Sequence, residues 1–407
     1  MNKNILLISH NVLSKEASNG KTLSSIFSNH IKTGQVSQLY FSNEKISEDF
    51  KDLQFYNIHE FKLFRNLLKN LFKNNNHSNT LKIYTKPSFT YLIRDMYWMF
   101  FIYNFQIYKW VKKIKPTSVF FVTSNNCFSY KIAYNISLKF KIPLFLFFTD
   151  DYLKILFSIN PFYLIHKLSL KKIFNKSILI SKNRFVIGEE MKLEYEKRYD
   201  TDFQFIMNLP DNFKRFDKFN TTTTTTTKVI KFIYAGNLYY NRWKTLLYIA
   251  EKLFILNNQY KFNIIFEIYS GQKPNEKFIK NLKLYDNVFY FGFLNSDDLK
   301  TKIYNANYVL HVEDFSTKHL KYTDLSVSTK ISEYIYLDRN IIAFGNIKNA
   351  SIKNLKNNEL AFVCHEKELI YNTCLDAIFN LVALKLHKIN RSAYVTKFYN
   401  FQIDNYI

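Results

Sequence analysis

Short apolar runs alternate along this chain with stretches whose apolar residues recur every three or four positions. The first kind reads as buried strands and the second as helices. In the first half the expected strands are Ile5–Ile8, Val36–Phe41, Ser118–Val122, Leu144–Phe148 and Ser177–Ile180. Between the third and fourth, "NCFSYKIAYNISLKFK" has the helical period, and Pro143 restarts the chain as an extended segment. The second half repeats the alternation. "VIKFIYAG", "FNIIFEIYSG", "NVFYFGFL", "YVLHVE" and "NIIAFG" read as strands, separated by the helical stretches "WKTLLYIAEKLFIL", "KFIKNLKLY", "DDLKTKIYNA" and "STKISEYIYL". Strand, helix, strand in this order means parallel strands joined by right-handed crossovers.

The two halves are separated by "DKFNTTTTTTTKVIKF", residues 217–232. Consecutive threonines build no core and read as an exposed loop or linker. The expected organisation is a Rossmann-like domain over 1–212, a threonine-rich linker over 213–228 and a second Rossmann-like domain over 229–383. A helical segment over 384–407 then packs back on the first domain. In such α/β units ligands bind at the carboxyl ends of the strands, so a central cleft faced by both domains is the expected site.

Composition narrows the class. With 407 residues, 47% hydrophobic and 22% charged, the chain is globular and long enough for two cores. Its three cysteines, Cys127, Cys364 and Cys374, have no metal-ligand spacing, and a reduced, cytoplasmic setting is expected. No secretory-signal pattern opens the sequence. The formal charge of +24 is uneven: residues 1–200 hold 30 basic and 14 acidic side chains, net +16, leaving +8 for the rest. A basic first half suits an anionic partner, either nucleic acid or an acidic membrane surface. Two segments bear on this. "YLIRDMYWMFFIYNFQIYKWVKKIK", 91–115, has too short an uncharged core to span a bilayer and reads as a core helix with a basic end, or as an interfacial helix. "ILFSINPFYLIHKLSLKKIFNKS", interrupted by Pro161, has the same two readings. Nucleic acid is not expected, since no RNP, zinc-finger or helix-turn-helix signature occurs.

Candidate chemistry lies where strands end. Asn19-Gly20-Lys21-Thr22 suggests a phosphate loop, but the second glycine such a loop needs falls on Lys15. What remains is a helix start after a buried strand, where Gly20 and Lys21 lie beside an anionic ligand or an acceptor. His10 ends the same strand. Asp150 and Asp151 follow "LFLFF" and are candidates to position or deprotonate an acceptor hydroxyl. In the second half, Gly236 and Asn237 follow a buried strand, and Arg242 offers a forked donor to phosphate oxygens. In "SVSTKISEY", Ser328 and Thr329 cap a helix whose free amides point at an anion, Lys330 adds charge and Glu333 lies one turn on. Glu313 and Asp314 close the strand "YVLHVE". No cluster has metal-site spacing, so no metal is expected.

Taken in order, "FIYAGNLYYNRWKTLLYIAEKL", "NVFYFGFLNSDDLKTKIYNANYVLHVE" and "SVSTKISEYIYLDRNIIAFG" resemble the nucleotide-sugar domain of GT-B glycosyltransferases. The group they resemble is family 4, the group 1 transferases of bacterial surface-polysaccharide assembly. "IPLFLFFTDDY" and "FVIGEEMKLEYEKRYDTDFQFIMNLPD" resemble that family more loosely in the first half. The resemblance implies an α/β fold of the GT-B kind and retaining sugar transfer from a nucleoside diphosphate sugar to a glycan or lipid-linked acceptor. It implies no cofactor beyond that donor substrate. It places Arg242 on the donor diphosphate and Glu333 on ribose hydroxyls. The family's earlier glutamate falls on Leu325, and Glu313 or Asp314, approaching from a longer loop, is the carboxylate expected in its place. A nucleotide-sugar epimerase and a catalytically silent sugar-nucleotide-binding homologue are the alternatives.

Overall fold

The computed structural model describes residues 4–15, 18–58, 105–155, 161–206 and 229–398, with Ile403 and Tyr406. It divides into two compact units, one running to Ile206 and one starting at Met207. The threonine-rich linker and residues 91–104 lie outside the described residues.

The first unit is a seven-stranded parallel sheet in the order β3-β2-β1-β4-β5-β6-β7. Its strands are β1 (Ile5–Ser9), β2 (Val36–Tyr40), β3 (Gln54–Asn57), β4 (Ser118–Val122), β5 (Leu144–Phe148), β6 (Ser181–Val186) and β7 (Gln204–Phe205). Strands β1, β2, β4 and β5 are buried at every position, as a sheet covered on both faces requires. The helices are α1 (Ser18–Ile26), α2 (Ser28–Lys32), α3 (Phe105–Ile114), α4 (Cys127–Phe140), α5 (Tyr152–Ile155), α6 (Pro161–Ile180) and α7 (Glu189–Tyr199). In α3, Ile107, Val111 and Ile114 are buried at helical spacing while Lys109, Lys112 and Lys113 are exposed.

The strand expected over Ser177–Ile180 is instead the last turn of α6. Its apolar residues continue the helical period, with Leu170, Ile173, Phe174 and Ile178 buried, and the Ser177 hydroxyl donates to the Ile173 carbonyl at 2.9 Å. Pro161 does not break this helix but starts it, where its missing N–H costs nothing. The strand that follows, β6, is masked in the sequence by its Lys-Asn-Arg centre. There Arg184 donates to the carbonyls of Ile178, Ser181 and Asp202.

The second unit is a six-stranded parallel sheet in the order β10-β9-β8-β11-β12-β13. Its strands are β8 (Val229–Ala235), β9 (Asn263–Tyr269), β10 (Val288–Gly292), β11 (Tyr308–Val312), β12 (Asn340–Phe344) and β13 (Phe362–Cys364). Around them lie α8 (Arg242–Tyr260), α9 (Glu276–Leu282), α10 (Ser296–Tyr304), α11 (Thr329–Tyr336), α12 (Ala350–Asn357), α13 (Ile370–Phe379) and α14 (Leu381–Phe398). Leu246, Ile249, Leu253 and Leu256 of α8 pack on Phe232, Phe266 and Ile268 to form the core.

The C-terminal helix α14 belongs to this second unit, so the expected boundary at 384 moves to Phe401. Buried Arg391 fixes it: Nε and Nη2 donate to the Asp338 carboxylate at 3.1 and 2.9 Å, and Nη1 donates to the Leu360 carbonyl. Only then does the chain rejoin the first unit, with Ile403 buried and the Tyr406 ring against Phe185. Among the described residues no single helix is long and apolar enough to cross a membrane.

Replacing Arg391 with alanine strands the Leu360 carbonyl and leaves the half-buried Asp338 with only the exposed Lys388 beside it. The expected cost is about 2–3 kcal/mol, below that of a fully buried pair because Asp338 keeps some solvent. Urea denaturation of the purified chain measures it; a loss under about 0.5 kcal/mol, the range of an ordinary surface change, contradicts the anchoring role.

Candidate functional site

Charged side chains converge at the carboxyl ends of β8, β11 and the start of α11, all within the second unit. The loop from β8 into α8 sets the first group. Gly236 donates its N–H to the Tyr269 carbonyl at 3.1 Å. A Cβ there would lie 2.6 Å from the Tyr234 hydroxyl, which donates to the Asn237 carbonyl, so the loop closes only over a glycine. Further along the loop, Tyr240 and Asn241 both adopt left-handed backbone, with φ of 55° and 63°. Asparagine tolerates this conformation, and here its side chain donates to Asp314 Oδ2 at 3.0 Å rather than capping α8. That turn aims Arg242, the first residue of α8, back across the strand ends.

Arg242 meets Glu313 in a two-point ion pair. Nε donates to Oε2 at 3.1 Å and Nη2 to Oε1 at 2.6 Å, while Nη1 donates to Asn237 Oδ1. Both side chains are largely buried. Glu313 is held from behind: its N–H donates to the Phe344 carbonyl, and its own carbonyl accepts from the Thr245 hydroxyl. Gly345 passes so closely that a Cβ would stand 2.6 Å from Glu313 Cβ, and its φ of +148° is open to glycine alone. Burial works to raise the Glu313 carboxyl pKa and the guanidinium works against it. For Arg242, burial disfavours the cation, yet the adjacent carboxylate raises its pKa. His311 stands 3.6 Å from Glu313 Oε1 with no hydrogen bond to Nε2. Burial and the neighbouring guanidinium push its pKa down to about 3, so it is neutral.

Beside this pair is a small depression bordered by Tyr240, Glu313, Asp314, His319 and Asn349. The Tyr240 ring stacks on Tyr322, with centroids 5.2 Å apart, and His319 adjoins it at 5.6 Å.

The second charged group is on α11. Lys330 Nζ donates to Glu333 Oε2 at 3.0 Å. Glu333 is buried, not a solvated surface residue, while Lys330 keeps a third of its side chain exposed. Ser328 occupies the N-cap position but makes no side-chain cap bond, and neither it nor Thr329 forms a capping box with Glu333. The Ser328 N–H instead donates to Ser351 Oγ, tying α11 to α12. Leu325 is buried just before this helix. Tyr334 hydrogen-bonds the Ala235 backbone, which ties α11 to the end of β8, next to Gly236.

The first-unit candidates have other contacts. Gly20 packs in α1 against the Val12 carbonyl with no room for a Cβ, so this glycine serves close packing. Lys21 is buried, and His10 lies exposed with its carbonyl accepting from Phe41 and Ser42 N–H groups. Asp151 is 3% exposed and accepts from Arg198 Nη1 at 2.8 Å and the Tyr195 hydroxyl at 3.4 Å, anchoring α7. Asp150 turns the other way and accepts from the hydroxyls of Tyr152 and Thr149. The adjacent carboxylates thus part, one into the core and one toward the strand end. Among the described residues no group of His, Cys, Asp and Glu is arranged to hold a metal ion.

No protein-family profile matches the chain, and no curated protein does. Solved structures do, over nearly the full length. WaaG, a glycosyltransferase involved in lipopolysaccharide biosynthesis, is 11% identical with a TM-score of 0.59 over 96% of this chain and 95% of that one. Sucrose-phosphate synthase from Thermosynechococcus elongatus is 10% identical with a TM-score of 0.62 over 98% and 95%. HepE from Anabaena, solved in complex with UDP-glucose, is 12% identical with a TM-score of 0.59 over 97% and 95%. The fold is GT-B. Within it, Arg242, Asn237 and Glu313 form one cluster and Lys330 and Glu333 a second. Asn241, His311 and Tyr240 were not expected at the site; the only signal for Asn241 was its place just before an arginine-led helix.

Two outcomes test this geometry. Glu313→Ala leaves a buried guanidinium with one partner and costs about 3 kcal/mol, whereas Glu313→Gln, which keeps an acceptor, costs less. Equal losses in denaturant titrations refute the paired arrangement. His311 has a folded pKa below its ordinary value, so its contribution to stability is complete above about 6.5 and is lost as pH falls toward about 3. Acid unfolding is therefore shallower in His311→Gln, by up to one proton or about 1.4 kcal/mol per pH unit. Superimposable pH profiles contradict the buried neutral imidazole.

Proposed function

We propose that this chain is a glycosyltransferase that takes a sugar from a nucleoside diphosphate sugar and passes it to a glycan or lipid-linked acceptor in cell-surface polysaccharide assembly. The observation carrying this reading is the pinned Arg242 at the carboxyl end of β8. A guanidinium has five N–H donors, and the bonds to Glu313 and Asn237 use three. Two remain for phosphate oxygens with the ion pair intact. Lys330, with one of its three N–H groups on Glu333, supplies the second cation. Glu313 then acts as the residue that positions Arg242, and departing diphosphate charge is stabilised by groups already in place. The stacked Tyr240 and Tyr322 beside Asp314 form a shelf of the kind that suits a sugar ring, apolar on its face and hydrogen-bonding at its edge. Transfer with retention and without a metal or other cofactor is part of the proposal, as is Asp150 as the group meeting the acceptor hydroxyl.

Leu325 favours a second reading. A buried leucine before α11 offers no carboxylate to the donor sugar, which suits a homologue that binds sugar nucleotides without turning them over.

A thermal-shift panel of nucleoside diphosphates and their sugars, followed by turnover assays, tests both. Binding raises apparent stability, and Arg242→Ala, Lys330→Ala and Glu333→Ala each lower donor affinity by about tenfold or more, 1.4 kcal/mol. Undiminished affinity in Arg242→Ala and Lys330→Ala removes the donor-site assignment. Tight binding with no transfer or hydrolysis leaves the silent homologue. Turnover of donor without an acceptor, with the nucleotide retained, identifies an epimerase.

A further inference from the structure

Helix α14 of the second unit has two working sides, and the fold uses one of them. Asn380 ends α13 and caps α14: its side chain accepts from the Ala383 N–H, and the chain turns there through 84°. The inner side of α14 carries Leu384, His387, Arg391 and Tyr394. Leu384 packs on the core, and Arg391 and Tyr394 are buried. The His387 ring meets the Phe362 ring edge-on, centroids 4.7 Å apart, and the Tyr394 hydroxyl accepts from Asn354 Nδ2 at 3.0 Å. On the outer side Val382, Leu386, Ile389, Ala393 and Thr396 follow at alternating steps of four and three, the spacing of a coiled-coil seam, and all five are exposed. Val382 is 79% exposed and Ile389 65%, and bare Phe379 and Leu381 continue the surface onto the elbow.

We propose that two copies of the chain associate through this seam, their α14 helices packed antiparallel about a twofold axis at Ile389. The seam complements itself in that direction. Ile389 meets Ile389 of the second copy, Leu386 meets Ala393 and Val382 meets Thr396, so each larger side chain off the axis faces a smaller one and the layers fill evenly. In a parallel pair Ala393 and Thr396 would face themselves and leave one end underfilled. A twofold contact of this kind uses the same patch on both copies and closes on itself.

Area and charge both favour a second copy. At roughly 150–200 Å² for a full large apolar side chain, the bare parts of Phe379, Leu381, Val382, Leu386 and Ile389 come to about 500 Å² per copy. That is about 1,000 Å² for the pair, the threshold of a specific interface before its polar rim is counted. The charges beside the seam are of both signs and are engaged within the chain. Lys388 pairs with Asp338 at 3.4 Å, Asn390 donates to Glu359 Oε2 at 3.3 Å and Asn380 donates to Asp376. Lys385 on the seam's flank comes opposite Ser392 and Ala393 of the second copy, so like charges do not meet. A lipid surface fits less well, since anionic headgroups would find carboxylates mixed with the lysines. The inference concerns the outer surface of α14 and stands or falls apart from the sugar-transfer reading.

Sedimentation equilibrium of the full chain at micromolar concentration provides the test, and twice the mass of one chain is expected. Leu386→Glu with Ile389→Glu sets carboxylates against one another at the axis and should raise the dissociation constant at least about tenfold. Circular dichroism checks that this variant folds, as expected for substitutions at exposed positions. Cysteines read the register, since Cys127, Cys364 and Cys374 are all buried. Ile389→Cys should link to itself across the axis on mild oxidation. Val382→Cys should not, but mixed with Thr396→Cys it should give the mixed disulfide. A monomer at these concentrations overturns the proposal. So does a dimer undiminished in the double-glutamate variant, or self-linkage of Val382→Cys as efficient as that of Ile389→Cys. Phosphatidylcholine vesicles that dissolve the dimer and carry the protein down with them overturn it as well, because the face is then a lipid-binding one.

Discussion

The second unit's strand ends depend on one interaction, the ion pair between Arg242 and Glu313. Neither group tolerates that depth alone, because a buried charge without a partner costs several kcal/mol. Their union dictates much of what surrounds it. Tyr240 and Asn241 take left-handed backbone so that α8 opens with Arg242 facing β11. Asn241 reaches Asp314, Thr245 reaches the Glu313 carbonyl, and Gly345 gives up its side chain to let Glu313 pass. Each of these is a departure from regular structure, and all act on the same two side chains.

Such a pair holds the guanidinium plane in one orientation before any ligand arrives. Preorganisation of this kind makes a cation effective toward an anionic partner, since no reorientation remains to oppose binding. The pair also insulates His311. A neutral imidazole fits behind Glu313 because the positive charge there is already supplied, and a second would be repelled. On α11 the logic is looser. Lys330 and Glu333 form a single bond with the lysine partly in water, so solvent competes with it and the contact is easily exchanged.

Much of this architecture was legible in the sequence. All five second-unit strands expected from apolar runs exist, because buried parallel strands are nearly continuous Val, Ile and Phe. Three kinds of element were not legible. β6 is polar at its centre since Arg184 satisfies loop carbonyls there; β3 and β7 are edge strands with little apolar signature. Ser177–Ile180 is apolar both as a strand and as a helix end, and only its continuity with residues 161–176 decides between them. At the site, sequence spacing brought out Arg242, Glu313, Lys330 and Glu333 as charged residues near strand ends. It had no means of showing that they pair with one another, since 71 positions separate Arg242 from Glu313. Gly20 shows another limit of spacing: that the Val12 carbonyl lies against it, leaving no room for a side chain, is visible only in the fold.

Leu325 and Glu313 can be weighed in the same terms. A carboxylate at 325 would have to be satisfied in a place that now buries leucine, whereas Glu313 comes with its counter-charge and three backbone or side-chain supports. A fixed carboxylate with Arg242 on both its oxygens is a poor base, because releasing it leaves two buried charges apart. It is a good brace, because moving it means moving the arginine as well. The arrangement therefore suits the β11 glutamate to orienting Arg242 rather than to taking a proton.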